Sequence, residues 1–125
     1  MLKEINNSSI KQSDAGYKKR WFQSFYFDLI IWLDYQRNIV NFELCYNLYI
    51  REKVFMWSKQ NGYRIAKVQD EMGDMNSHKY KMTSVYINDD NFNQTELLKR
   101  FKAESNNISP TIANQILDKI NSYST

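Results

Sequence analysis

Asp28-Leu29-Ile30-Ile31-Trp32-Leu33-Asp34, Tyr35-Gln36-Arg37-Asn38 and Ile39-Val40-Asn41-Phe42-Glu43-Leu44-Cys45-Tyr46 follow one another without a break. Two runs rich in Val, Ile, Phe, Trp and Tyr around a short polar turn predict a β-hairpin. If Asp34 and Ile39 flank a four-residue loop, Leu33 opposes Val40, Ile31 opposes Phe42 and Leu29 opposes Leu44. A two-residue loop of Gln36 and Arg37 keeps the same pairs. These six residues form one strongly apolar face, and a one-residue slip would mix the two faces. The other face is mixed: Asp28, Ile30, Trp32, Asp34, Ile39, Asn41, Glu43 and Cys45.

A chain of 125 residues with 42% apolar and 25% charged side chains can bury a real core as one domain. Three Gly and one Pro are few for an all-β protein with many turns, which favours a sheet combined with helices. The single Cys excludes an intramolecular disulfide and suits a reduced compartment. Residues 1–15 lack the apolar core of a signal peptide, and no run approaches a membrane span, so a cytoplasmic protein is expected. Residues 1–20 hold five Lys/Arg and two acids, while the remainder holds twelve of each. The excess charge therefore sits in a mildly basic arm. That is little basic surface for gripping phosphates, so nucleic acid ranks below a protein partner.

Outward from the hairpin, residues 1–19 read as a flexible or loosely packed arm anchored by Leu2, Ile5, Ile10 and Tyr17. Residues 20–125 read as a single domain. Residues 21–27 are expected to form a short strand or an aromatic loop. Glu52–Ser58 reads as a strand with Val54 and Met56 on one side and Lys53, Phe55 and Trp57 on the other. Gln60-Asn61-Gly62 is a turn signal, and Tyr63–Gln69 alternates as a further strand. Asp70–His78 reads as a loop, and Tyr80–Ile87 as a fifth strand or irregular cover. Short connections predict an antiparallel meander.

Helical signals then take over. Asn93 caps the first helix, with Glu96 three residues on and Phe92 placed to meet Leu97. Leu97, Leu98 and Phe101 form its stripe. Ser109-Pro110 opens a second helix with Ile112, Ala113, Ile116, Leu117 and Ile120 at helical spacing. The fold class is therefore α+β: an antiparallel sheet of four to five strands followed by two C-terminal helices packed on it.

Chemistry-bearing residues are sparse. Asp28 and Glu43 share a hairpin face, where two carboxylates could serve acid/base work, yet solvent-facing strand acids have the same spacing. Cys45 lies there too, but a nucleophile needs a base, and the only histidine, His78, is remote in sequence. One Cys and one His supply no metal shell, and no phosphate loop or other cofactor motif is present, so neither metal nor cofactor is expected. Met56, Met72, Met75 and Met82 fit ordinary packing better than an adaptable binding surface.

The pattern Arg20-Trp21-Phe22, Asp28-Leu29, Trp32, Asp34, Phe42, Leu44-Cys45-Tyr46, Glu52 and Trp57 resembles that of a small family of bacterial cytosolic proteins. The resemblance spans roughly residues 20–58 and implies one intact domain of bacterial type. It brings no activity, cofactor or partner, and this chain has Asn47-Leu48-Tyr49 where a more polar, acidic connector is expected.

The expected function is a non-enzymatic protein-interaction or adaptor module with a protein partner or a second copy. The binding candidates are Arg20, Trp21, Ile30, Trp32, Ile39, Arg51 and Lys53. The first alternative is nucleic-acid binding through Lys18, Lys19, Arg20, Trp21, Arg51, Lys53 and Arg64. The second is a small hydrolase or ligand-binding protein, which needs a pocket holding at least two of Asp28, Glu43 and Cys45.

Overall fold

The computed structural model describes residues 1–6, 16–48, 51–68 and 86–124. Its strands are β1 (Lys3–Glu4), β2 (Lys18–Gln23), β3 (Phe27–Leu33), β4 (Ile39–Tyr46), β5 (Lys53–Ser58), β6 (Gly62–Val68) and β7 (Tyr86–Asn88). Two helices follow, α1 (Gln94–Glu104) and α2 (Pro110–Ser122). Neighbouring strands pair antiparallel in chain order, so the sheet is the expected meander with two C-terminal helices on it. Among the described residues it has seven strands rather than four or five. β1 is the unexpected strand; β2 starts at Lys18, ahead of the short strand or aromatic loop expected over 21–27, and β7 overlaps the end of the 80–87 segment expected as a fifth strand or irregular cover.

Period-two burial decides the packing. Phe27, Leu29, Ile31 and Leu33 of β3 are buried, while Asp28, Ile30 and Trp32 are half-buried. The expected pairs Ile31–Phe42 and Leu29–Leu44 form. Across the sheet this face continues through Phe55 and Ile65, and the helices close it with Leu97, Phe101, Ile112, Ile116 and Ile120. Phe27 meets Phe101 edge-on with ring centroids 5.8 Å apart. At the other end Phe55 packs against Tyr63, Phe92 and Tyr123 at 5.7, 5.6 and 5.9 Å. Such pairs add to the apolar burial that drives the layers together.

Ile39 corrects the hairpin reading. It was expected on the mixed face but is buried in the helix-side core. Leu33 pairs with Ile39 and Trp32 with Asn41, which leaves Val40 as the extra residue of a bulge. The turn before it is tight: Asp34 Oδ1 accepts from Gln36 N and Asn38 N, and Arg37 takes φ 68°. Gln115 of α2 then holds the bulge by accepting from Ile39 N at 2.8 Å.

The chain start also departs from a loose arm. Leu2 is fully buried, its N–H donates to Glu104 O of α1, and Ile5 N donates to Trp21 O. Two exposed residues, Lys3 and Glu4, carry no periodic signal; a buried neighbour and an edge to pair with make the strand. The Asn93 side chain accepts from Glu96 N, as a cap should. Ser109 makes no such side-chain bond, and α2 opens on Pro110, whose missing N–H leaves one donor fewer to cap. The Asp70–His78 loop and residues 80–85 lie outside the described residues. Among the described residues no helix is long and apolar enough to cross a membrane.

Candidate interaction face

The register places the side chains opposite the helices in cross-strand rows. One row runs Trp21, Ile30, Glu43, Met56, Arg64, from β2 to β6. The adjoining row runs Gln23, Asp28, Cys45, Val54, Ala66, Asn88. On the far side of the first, Lys19, Trp32, Asn41 and Ser58 align. Trp21, Ile30, Trp32 and Met56 are half-buried, unlike their fully buried counterparts under the helices.

Polar bonds fix this face. The Trp21 indole N–H donates to Asp28 Oδ1, and the Lys19 ammonium stands 5.5 Å from the centre of the Trp32 ring. Arg64 stacks on Tyr86 at 5.6 Å and donates to the Tyr86 carbonyl at 3.4 Å. Burial raises the Tyr86 pKa, and the nearby Glu43 and Glu52 carboxylates add to the rise. Val54 and Ala66, the small side chains between, are fully buried.

Three carboxylates gather round the thiol. Burial raises the Glu43 pKa, Lys19 opposes the rise and Asp28 adds to it. Burial also raises that of Glu52, which is hydrogen-bonded to Cys45, and Asp28 again adds. Cys45 is pushed strongly upward by burial, then by the negative charges of Glu52, Asp28 and Glu43. A thiol in that setting stays protonated at neutral pH, the opposite of an activated nucleophile. No group of three or more His, Cys, Asp or Glu among the described residues is arranged to hold a metal ion.

The sequence-based candidates divide between the faces. Trp21, Ile30 and Trp32 come together, and Asp28, Glu43 and Cys45 join them. Ile39 does not, being in the core. Arg20 points to the helix side, where it grips Glu4 through two bonds of 2.7 and 2.6 Å. Lys53 pairs across from Tyr46 on that side too, with Nζ 3.4 Å from Asp89 Oδ2. Arg51 is exposed in the β4–β5 connection. The cationic set proposed for nucleic acid therefore splits by strand parity, and two of its members already have carboxylate partners. His78 lies outside the described residues.

A concavity of about 700 Å³ opens elsewhere, between β6, the start of α1 and the end of α2, lined by Tyr63, Asp89, Phe92 and Tyr123 among others. It contains none of Asp28, Glu43 or Cys45. The Asp89 carboxylate at its edge is committed to Asn91 N and Lys53. Tyr86 falls in the segment expected as a fifth strand or irregular cover, but its place beside the carboxylates depends on tertiary pairing, and nothing near Asp89 in sequence marks a partner on β5.

Comparison with protein-family models, curated proteins and solved structures returned no match to this chain.

Proposed function

We propose that the chain works as a non-enzymatic protein-interaction module that docks a partner on the sheet face opposite the helices. The observation that carries this reading is the half-buried apolar group of Trp21, Ile30, Trp32 and Met56. Aromatic and Met side chains of this kind are enriched where protein surfaces meet. The buried Cys45 thiol, kept protonated by burial and by the carboxylates around it, lends nucleophilic catalysis no support.

The test places a photocrosslinking side chain at Met56 on this face or at Lys102, exposed on α1. In cells, the Met56 site is expected to yield a discrete crosslinked product that Ile30→Ser/Trp32→Ser abolishes while the fold survives. Lys102 is expected to yield none. Identical products from both sites, or a serine variant as unstable as a core variant, would overturn the proposal.

A further inference from the structure

We infer that the docking face takes a partner segment presenting basic and apolar side chains together; this rests on the interaction reading above. The charge on the face is arranged by strand. Asp28 and Glu43 lie on β3 and β4, and Glu52 immediately precedes β5, at the centre of the sheet. Among the described residues, the strand cations of that face, Lys3, Lys19 and Arg64, belong to β1, β2 and β6 and so flank them. Lys19 lies by Trp32 and eases Glu43, while Arg64 is held on Tyr86. The central carboxylates therefore repel one another, and each gains from an added cation.

Apolar side chains adjoin this negative centre. Ile30 and Met56 lie directly opposite Glu43 on its two neighbouring strands, and Trp21 bonds Asp28. A partner that satisfied only the charge would leave them uncovered, and a purely apolar one would bury the carboxylates without a counter-charge, which is costly. A second copy fits poorly. A two-fold interface through the centre would set Glu43 and Asp28 against their own equivalents, and like charges across an interface are penalised.

Three synthetic peptides of matched length test the inference: one of Lys and Leu, one of Glu and Leu, and one of Lys and Ser. The readout is the indole N–H signals of Trp21 and Trp32 in nuclear magnetic resonance titrations. The Lys/Leu peptide is expected to shift both saturably and to weaken as salt rises. Its affinity should fall about tenfold, a change of about 1.4 kcal/mol, in Glu43→Gln/Glu52→Gln. The Lys/Ser peptide should bind more weakly than Lys/Leu.

Equal or tighter binding of Glu/Leu at the same indoles would overturn the charge class while leaving the docking face standing. Equal binding of Lys/Ser would overturn the apolar half. No shift with any peptide would overturn the inference. If the double variant does not fold, the salt dependence of the wild-type protein decides: an affinity indifferent to salt overturns the basic partner.

Discussion

Along β3, one strand shows two faces made from similar residues with different fates. Phe27, Leu29, Ile31 and Leu33 are at most 4% exposed, whereas Ile30 and Trp32, equally apolar, remain half-buried. The difference lies in what is stacked above them. The first set lies under α1 and α2, with Phe101 on Phe27 and Gln115 on Ile39. The second shares its surface with Asp28, Glu43 and Cys45. Alternation alone assigns a side chain to a face; only the cover decides whether that face is core.

Truncating one residue on each face should separate them most clearly. Phe55, fully buried among Phe42, Tyr63, Phe92 and Tyr123, should cost about 3–5 kcal/mol on Phe55→Ala. Trp32→Ser removes a half-buried ring and should cost about 1 kcal/mol. Urea unfolding of both variants measures the two values. Equal losses would make the second face a core and remove the ground for docking.

A smaller effect separates how the faces treat charge. Lys53 reaches from the helix side to Asp89, whose side chain is 1% exposed and whose Oδ2 has no hydrogen bond. Lys53→Met leaves that carboxylate buried without its cation and should cost about 1–3 kcal/mol by the same urea measurement. Lys53→Met/Asp89→Asn should recover part of it, because the uncompensated charge is gone. A negligible loss in the single variant would mean that Asp89 does not need its partner.

These contrasts also mark what was legible in the sequence. Leu29, Ile31, Phe42 and Leu44 were placed correctly because a strand's period is two and their pairing needs no knowledge of the helices. Asn93 was legible because a cap is local. Ile39 was misplaced because the bulge at Val40 resets the parity, and nothing in an Ile-Val pair announces a bulge. β1 was hidden by its length of two residues, since its existence depends on the edge it joins, whereas β7 overlaps the end of the segment read as a fifth strand or irregular cover. The shared face of Asp28, Glu43 and Cys45 followed from parity, but the arrival of Glu52 and Tyr86 beside them depends on tertiary placement. Lys53 and Asp89 lie far apart in sequence, and the burial that makes their pairing matter cannot be read there.

The smallest effect concerns protons on the docking face. Glu43 and Glu52 both have raised pKa values, first because they are partly buried and then because Asp28 is near, so the folded state holds their protons more tightly than the unfolded chain does. The sign follows from linkage: stability falls as pH rises from the unfolded glutamate value through the folded ones. Glu4 works in the opposite direction. Its bond to Arg20 lowers its pKa, so its contribution is present above the unfolded value and lost as pH falls through the folded one. That change lies below the unfolded glutamate value, so the decline of urea midpoints above it, towards neutral pH, belongs to Glu43 and Glu52. Glu43→Gln/Glu52→Gln should flatten that decline. A decline that persists in the double variant would assign the pH dependence to other groups and leave the carboxylate cluster without energetic consequence. Flattening would show that these carboxylates oppose folding when ionised, the condition under which a cationic partner has most to relieve.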